Sequence, residues 1–372
     1  MVHNTNIKLI FLGPGDNVEG GIPAVIKGLE KCFEIKKKDI SYKRLVYGKE
    51  RRDMSKLSRI ATEFLQVFTF ISTLFAYKPT IIHAQTSLDK KTILRDSLYL
   101  FISTIFRKKF ILHVHGGQWE MLTEANGLWK FSAKRFLKKC DLVIVTSTEE
   151  LNWIKSNYGE IINVDLLNNV VELDFDVNKF RKKRIDKTEI KKIIFASRLI
   201  ESKGILDLIE SINLLETRSD FQLDIYGGGP LKKEIEKKIL ALKLEDKINF
   251  KGEVDFDKLL KEYCEGDIFA FPSYHHEGFP MAFFFAVACG LAIVTSEVRP
   301  IPFFLKEKEN CLYVEQKNSK SLSIGLSKLL NNDALIEEMS LNNINLIKQF
   351  SSQEISSQLL RIYNIILNNE SK

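Results

Sequence analysis

The sequence predicts an α/β protein built from two doubly wound domains in tandem, with a ligand-binding cleft between them. Short runs of branched and aromatic residues alternate with helix-length patterns along the chain, which is typical of βαβ units and parallel sheets. A polar, charged stretch at residues 166–192 interrupts this alternation once. The chain has 372 residues, a length that fits two domains of about 150–200 residues each.

The first domain is predicted over residues 1–173. Four strand-like runs, IKLIFLG, TIIHAQ, KFILHVHGG and DLVIVTS, each end in small or polar residues. Helical patterns accompany them at residues 22–33, 57–77, 88–106 and 129–139. Sheets of this kind bind ligands at the carboxyl ends of their strands, so we expect the site residues in the loops that follow these runs.

The second domain is predicted over residues 174–351. Its strand-like runs are KKIIFASRL, FQLDIYGGGP, KINFKG, DIFAFPS, LAIVTS and CLYVEQ. Helices are predicted at residues 204–215, 231–242 and 257–264, and a further one contains Phe283, Phe284 and Phe285. A last helix, at about residues 352–372, is predicted to pack back on the first domain.

Cysteine usage indicates a reducing compartment. The five cysteines are odd in number, scattered and form no CxxC pair, which argues against a disulfide framework and a cysteine zinc site. The first residues, MVHNTNIKLIFLGPGD, fit a strand and a glycine turn rather than a signal peptide. We therefore expect a cytoplasmic protein.

The formal net charge of +7 comes from the first half of the chain. Residues 1–173 hold 26 Lys and Arg against 18 Asp and Glu, and the remainder holds 29 against 30. This asymmetry indicates an anionic partner, either nucleic acid or a membrane surface, although a general abundance of lysine also explains it. The sequence lacks a basic strand face with clustered aromatics and a recognition-helix pattern, so we expect no nucleic acid partner.

Residues 60–77, IATEFLQVFTFISTLFAY, are the most membrane-like stretch. Glu63 and Gln66 interrupt it, and it barely reaches the ~20 apolar residues that span a bilayer, so we do not predict a transmembrane helix. A buried helix of the first domain is the favoured prediction. The alternative is a partly exposed helix that docks on lipid, with Lys56, Arg59 and residues 107–109 near phospholipid head groups.

Three loops are candidate anion sites. Gly20 and Gly21 open a helix but lack the GxGxxG and GK[ST] spacings, so a plain tight turn explains them equally well. Arg198 follows a strand and Lys203 precedes a helix; such a pair can straddle a diphosphate, and two exposed surface cations are the alternative. The glycines at 227–229 permit close approach to a ligand or simply form a turn.

The stretch FPSYHHEGFP places a carboxylate just ahead of a helix. Glu277 can hydrogen-bond sugar hydroxyls there, while the N–H groups of the turn that follows can bind phosphate. His275 and His276 are adjacent and lack a third ligand, so no metal site is predicted. The two DFD triplets, at 174–176 and 255–257, fit helix caps better than a metal motif.

In order and spacing, the motifs SRLIESKG, GGGP, FKG, PSYHHEGFP and ACGLAIVTS resemble family 4 glycosyltransferases. These are retaining enzymes with the GT-B fold, two Rossmann-like domains in tandem. The resemblance covers almost the whole chain and takes in Gly20 and Gly21, HVHGG at 113–117, and Asn168. The motifs of the second half are the more specific ones.

The resemblance implies a role for each site residue. Arg198 and Lys203 would stabilise the departing diphosphate, so that no metal and no cofactor is required. Glu277 would hold the donor sugar, and His115 would contact that sugar from the first domain. The implied donor-binding positions are Gly20, Gly21, Gly227, Gly228, Glu253, Val254, Gly278, Phe279, Pro280 and Phe285.

Phe285 departs from the family pattern. Relatives commonly carry a second Glu at this position, eight residues after the first, to hold the ribose hydroxyls. A phenyl ring cannot replace that bond, which is typically worth about 1.5–3 kcal/mol. The enzyme either tolerates weaker ribose binding, uses a donor held differently, such as a deoxyribose nucleotide, or has lost turnover. The retained cations, Glu277 and His115 favour the first two explanations.

The resemblance implies a retaining, metal-independent glycosyltransferase. It would move a sugar from a UDP-, GDP- or dTDP-sugar to a lipid-linked or polysaccharide acceptor in bacterial capsule, O-antigen or glycolipid synthesis. The basic first domain would make peripheral contact with the anionic inner face of the cell membrane. The alternative is a catalytically weak or silent nucleotide-sugar- or glycan-binding partner subunit of such a pathway.

Overall fold

The structure is a computed structural model that describes residues 6–15, 22–48, 56–117, 127–177, 179–180, 190–215, 220–275, 278–298 and 300–368. The chain divides into two compact units. Unit 1 comprises Met1–Val170, Glu277–Phe279 and Phe350–Lys372, and unit 2 comprises Val171–His276 and Pro280–Gln349. Each unit holds one parallel six-stranded sheet with helices between its strands, which confirms the predicted α/β class.

The strands of unit 1 are β1 (Ile7–Gly13), β2 (Ile40–Val46), β3 (Ile81–Leu88), β4 (Lys109–Gly117), β5 (Leu142–Val145) and β6 (Val164–Leu166). They lie side by side in the order β2–β1–β3–β4–β5–β6. The helices are α1 (Ile22–Ile35), α2 (Lys56–Tyr77), α3 (Lys90–Ile105), α4 (Gly127–Lys139), α5 (Thr148–Tyr158) and α12 (Ser352–Asn368). Strand β3 is buried at all but one position and β4 is buried along its central part, as expected for a sheet covered on both faces.

Three elements of unit 1 were not predicted. Strand β2 is an edge strand whose residues are mostly half-exposed, and Lys43 and Arg44 break its apolar pattern. Helix α5 buries Glu150, Ile154 and Tyr158. Because its buried face includes a charged residue, the sequence does not show the apolar periodicity that indicates a helix. Strand β6 has three residues, too few to show a period.

The strands of unit 2 are β7 (Lys191–Ala196), β8 (Phe221–Tyr226), β9 (Ile248–Gly252), β10 (Ile268–Phe271), β11 (Ala292–Ser296) and β12 (Cys311–Val314). Their order is β12–β11–β10–β7–β8–β9, again parallel throughout. The helices are α6 (Ile205–Asn213), α7 (Lys232–Ala241), α8 (Phe256–Glu265), α9 (Met281–Ala288), α10 (Ser319–Leu330) and α11 (Asp333–Ile347). Phe283 packs on Phe269 and Phe271 of β10, so part of the phenylalanine triplet is core that faces the sheet.

Helix α12 is remote in sequence from the rest of unit 1 and packs against α1. Its buried residues Ile355, Leu359, Ile362 and Ile366 form one stripe at helical spacing. The Cys32 thiol of α1 lies 3.5 Å from the carbonyl oxygen of Ser352, which marks the start of this contact. Helix α12 is thereby part of the packed core of unit 1.

Helix α2 corrects the prediction of a buried helix. Only 22% of the stretch Ile60–Tyr77 is buried, and on length and composition, with a mean hydropathy of 1.4, it could cross a membrane. One side packs into unit 1 through Phe70 and Leu74. The other side exposes Ile60, Phe64, Leu65, Phe68 and Phe75. A helix covers a sheet with one face only, and here both faces are apolar.

Candidate active site

The two predicted cations lie in one loop of unit 2. Arg198 is exposed just after β7, and Lys203 ends a short 3₁₀ turn before α6. The Lys203 side chain is buried, with its Nζ 5.7 Å from the centroid of the Phe271 ring. Burial lowers the pKa of Lys203 to about 8, and the Arg198 guanidinium adds to this effect. Lys203 is therefore not the exposed surface cation of the alternative explanation.

The loop is closed by Gly204, where only glycine fits well. Gly204 has φ +70°, and a Cβ there would overlap the carbonyl oxygen of Pro272. The residue ends the 3₁₀ turn and starts α6 in one step, because its N–H donates to the Glu201 carbonyl. Gly204 thus fixes the position of the backbone that carries the buried Lys203 side chain.

The predicted glycines Gly227 and Gly228 support the Arg198 loop from the side. Gly227 has φ +130°, and a Cβ on it would overlap the carbonyl oxygen of Ser197. The Leu199 N–H donates to the Gly228 carbonyl at 2.8 Å, which ties the two loops together. The glycines therefore form a turn whose close approach is to the neighbouring loop, and that loop positions Arg198.

Replacing Gly227 by Ala is expected to lower the free energy of unfolding by more than about 2 kcal/mol, because the change combines backbone strain with a clash at Ser197. Displacement of the Arg198 loop should also weaken binding of the predicted nucleotide-sugar donor, for which UDP is the probe. Urea unfolding and UDP titration measure both effects. Gly127→Ala is the matched control, because a Cβ there meets nothing within 4 Å; equal stability of the two variants would contradict the clash.

Glu253 and Val254 follow β9 and belong to the same region of unit 2. The exposed Glu253 carboxylate lies beside Gly228, at the place that a Cβ on that glycine would fill. Val254 is half-buried. The next residue, Asp255, caps α8 by accepting from the Lys258 N–H at 2.8 Å, which confirms the helix-cap interpretation of the second DFD triplet.

Phe285 lies on α9 and is covered by an aromatic neighbour. Its ring meets that of Phe256 edge to face, with 4.7 Å between centroids and 70° between planes. Phe285 is buried, whereas Phe256 is 42% exposed. Phe256 was not predicted as a site residue, and it lies three residues after Glu253. The apolar ring at position 285 is therefore part of an aromatic pair at the edge of the unit 2 core.

His115 is the outermost of three histidines in unit 1. His113 and His115 project from the same face of β4, with 4.2 Å between ring centroids. His83 of β3 stacks on His113 at 5.4 Å, and its Nδ1 is hydrogen-bonded to the Tyr363 hydroxyl of α12 at 2.7 Å. The row thus runs from α12 through the sheet toward the loop after β4.

Burial keeps the three rings neutral. It lowers the pKa of His83 and of His115 to about 3, and it lowers that of His113 well below the ordinary value. The His115 Nε2–H donates to the Gln85 side-chain oxygen at 2.6 Å. A neutral ring protonated at Nε2 leaves Nδ1, which is shielded from solvent, as a hydrogen-bond acceptor.

The loop after β4 closely approaches the predicted donor-sugar turn. A Cβ on Gly278 would lie 2.9 Å from the Gly116 nitrogen and 2.8 Å from the Thr146 hydroxyl, all within unit 1. The Phe279 ring contacts Phe350 at 5.5 Å, and Pro280 directly precedes α9. Gly20, Gly21, His276 and Glu277 lie outside the described residues.

The histidine row was missed from the sequence, although a signal was present. TIIHAQ and KFILHVHGG place His83, Gln85, His113 and His115 at alternate positions in otherwise apolar strands. Alternation in two neighbouring strands puts such residues on one face. Among the described residues, no cluster of three or more His, Cys, Asp or Glu side chains is arranged to hold a metal ion.

Comparison with known proteins gives a family-model match to part of the chain and a fold for the whole of it. The family model described as glycosyl transferases group 1 matches residues 176–346, which lie almost wholly in unit 2. An uncharacterized glycosyltransferase of Methanocaldococcus jannaschii is 27% identical over 241 residues, 62% of this chain and 61% of that protein. The N,N'-diacetylbacillosaminyl-diphospho-undecaprenol α-1,3-N-acetylgalactosaminyltransferase of Campylobacter jejuni is 29% identical over 50% of this chain and 47% of its own length.

Solved structures share the fold over the full chain. Sucrose-phosphate synthase of Thermosynechococcus elongatus superposes with a TM-score of 0.75 at 17% identity, covering 98% of this chain and 100% of its own. The Anabaena protein HepE, solved with UDP and glucose, gives 0.71 at 17% identity, covering 96% and 99%. The likeness to these structures shows the two-domain GT-B fold, and the match to the family model covers part of the second half of the chain.

Proposed function

We propose that this protein is a retaining, metal-independent glycosyltransferase of family 4 that transfers a sugar from a UDP-, GDP- or dTDP-sugar to a lipid-linked or polysaccharide acceptor. The observation that carries the proposal is the pair formed by exposed Arg198 and buried Lys203, inside the segment that matches the family model. Bacterial surface polysaccharide or glycolipid synthesis is the proposed setting. The lipid-linked substrate named for the Campylobacter jejuni relative and the UDP bound by HepE support these substrate classes.

The proposed chemistry is electrostatic stabilisation of the leaving group. As the glycosidic bond breaks, negative charge grows on the departing diphosphate, and Arg198 and Lys203 stabilise it in place of a divalent metal. The departing phosphate accepts the proton of the acceptor hydroxyl, which attacks from the same face and so preserves the anomeric configuration. His115 Nδ1 accepts a hydrogen bond from a donor-sugar hydroxyl, and Glu277 is proposed to hold the same sugar.

We further propose that the protein works in the cytoplasm, peripherally bound to the inner face of the cell membrane through unit 1. The exposed apolar residues of α2 and the basic excess of the first half support this placement. Arg107 is exposed at the end of α3, whereas Lys109 is engaged with Asp141 at 3.3 Å.

A thermal-shift screen against nucleotide sugars tests the proposal. A ligand at 100 times its dissociation constant adds about 2.7 kcal/mol to the stability of the fold, so a bound donor produces a clear shift. Donors that shift the protein are then offered with polyprenyl-phosphate-linked acceptors in membrane vesicles, and transfer is followed by mass spectrometry. Absence of both a shift and transfer with every UDP-, GDP- and dTDP-sugar would overturn the proposed activity.

The Phe256–Phe285 pair supports the alternative, a weak or silent sugar-nucleotide-binding partner, because it puts an apolar surface where relatives hold the ribose.

Phe285→Glu alone is expected to destabilise unit 2 by about 2–4 kcal/mol, since a carboxylate would replace a buried ring. The double change Phe256→Ser with Phe285→Glu opens the position to water and should tighten UDP binding relative to dTDP. Thermal melting measures the stability of the two variants, and competitive titration measures their affinity for UDP relative to dTDP. Tighter UDP binding by Phe285→Glu alone would contradict the inference that Phe256 shields position 285 from the ligand.

A further inference from the structure

A groove runs along the outer side of unit 1 between α3 and α4. Its volume is about 770 Å³, within the range of about 300–1,000 Å³ that holds small organic ligands. Its walls are mainly apolar and include Leu94, Leu100, Phe101, Trp129, Phe131 and Phe136. Leu94, Phe101 and Phe131 are each more than 60% exposed, so the groove is open to the outside along much of its length.

The apolar surface continues beyond the groove. Leu94, Leu98, Phe101 and Ile105 lie on one stripe of α3 and are all exposed. At the end of this helix, Phe106 packs edge to face on Phe75 of α2, with 4.8 Å between the ring centroids. The groove therefore lies within a broad apolar surface that spans α2, α3 and α4. Exposed apolar surface of this kind marks an interaction site.

One wall of the groove is strongly cationic. Helix α4 carries Lys130, Lys134, Arg135, Lys138 and Lys139 and no acidic residue. Arg135 and Lys139 line the groove, one helical turn apart. At the other end of α4, the Lys90 ammonium lies 5.7 Å from the Trp129 ring. The occupant must therefore combine a long apolar part with a negative charge.

These charges argue against a second copy of the chain as the occupant. A two-fold dimer contacts itself through the same patch, so it would place the cations of α4 against those of its partner. Like charges brought together in this way repel. A membrane of anionic lipid instead supplies both hydrocarbon and phosphate, and Trp and Lys side chains suit the boundary between the two.

We propose that the groove between α3 and α4 binds one fatty acyl chain of an anionic membrane phospholipid, with the lipid phosphate on Arg135 and Lys139. The inference rests on the membrane contact in the proposed function and names the site and the lipid class for it. Binding of a single acyl chain in the groove adds to simple adsorption of the exposed α2 and α3 residues, because that chain also packs on the apolar walls of the groove.

Vesicle binding by the full-length protein tests the proposal. The probes are phosphatidylglycerol–phosphatidylcholine vesicles and pure phosphatidylcholine vesicles, compared by flotation. Arg135→Gln combined with Lys139→Gln should weaken binding to the anionic vesicles by roughly fivefold for each charge removed. Lys233→Gln, an exposed lysine of unit 2, is the matched charge control and should leave binding unchanged.

A second variant separates the groove from the surface around it. Ser132 lines the groove, so Ser132→Trp fills it without removing any apolar residue. Ser72→Trp adds the same side chain at an exposed position of α2 and serves as the control. We expect Ser132→Trp to weaken vesicle binding at least tenfold. It should also abolish the one phospholipid per chain that native mass spectrometry detects after extraction in mild detergent, whereas Ser72→Trp keeps both.

Retention of vesicle binding and of bound lipid by Ser132→Trp would overturn the groove as the lipid site. A preference for polyprenyl phosphate over phosphatidylglycerol in the same vesicles would also overturn it and assign the groove to the acceptor. Thermal shifts with nucleotide sugars report separately on the donor site and should be the same in all these variants. A failed groove and a failed glycosyltransferase assignment are therefore distinguishable.

Discussion

Lys203→Met is expected to slow sugar transfer by about 100- to 1,000-fold, because it removes one of the two groups proposed to stabilise the departing diphosphate. The same change is expected to stabilise the fold at pH 7. Burial lowers the pKa of Lys203 from 10.5 to about 8, and each pKa unit corresponds to about 1.4 kcal/mol. The buried ammonium therefore costs the folded state up to about 3 kcal/mol. Initial transfer rates and urea unfolding measure the two effects.

The stability gained by Lys203→Met should depend on pH. The folded pKa of Lys203 lies below its unfolded value, so the cost of burial is absent above about pH 10.5, grows as pH falls toward 8 and is constant below. The stability advantage of Lys203→Met should follow this course, full at pH 7 and lost toward pH 10.5. Lys233→Met, an exposed lysine of the same unit, should alter neither rate nor stability. Near-normal transfer by Lys203→Met would remove the proposed diphosphate role.

Unit 1 is expected to lose stability in mild acid because of the histidine row. Each ring is neutral when folded and binds a proton readily when unfolded, near the ordinary pKa of 6.5. Stability is therefore complete above pH 6.5 and falls as pH drops toward about 3. By pH 5 the buried, neutral His83 ring costs the folded state about 2 kcal/mol, and the buried His113 ring adds to this loss in the same direction. The loss is a substantial share of the 5–15 kcal/mol typical of a folded domain.

Urea unfolding at pH 7.5, 6 and 5 measures this loss. His113→Gln replaces one ring by a side chain that does not titrate, so its stability should fall less steeply with acid than that of the wild type. His275→Gln, in unit 2 and outside the row, is the matched control. NMR provides an independent measurement, since the ring signals of His83 and His113 should not titrate above pH 5 in the folded protein. Parallel pH profiles for wild type and His113→Gln would contradict the prediction.

The elements visible from the sequence were those whose burial is continuous or strictly periodic. The strand β4 and the helix α12 show their apolar patterns directly, and their predicted bounds are close to those of the structure. Strand β2 was not predicted because the residues of this edge strand are mostly half-exposed and therefore need not form a continuous apolar run. The prediction that α2 is buried was wrong. An apolar helix usually indicates burial, but the exposure of its outer face depends on whether another element packs against it.

Local spacing predicted the Arg198–Lys203 loop, because five residues around a turn keep both side chains close. It did not predict which cation is buried, since that depends on Phe271, which lies in a different strand. Phe256 could not be linked to Phe285 from the sequence, because their contact joins two helices 29 positions apart. The histidine row likewise requires knowledge that β3 and β4 are neighbours and that α12 returns to unit 1.

The return of α12 to unit 1 has a consequence for the order of events on the ribosome. Unit 2 is made of residues that are all synthesised before α12, so its sheet can form while unit 1 still lacks a helix. Until then, α1 and the His83 edge of the row lack the cover that α12 provides. Domains commonly fold from the N-terminus onward during synthesis. Here the order is reversed, because the first unit to be translated is the last to be completed.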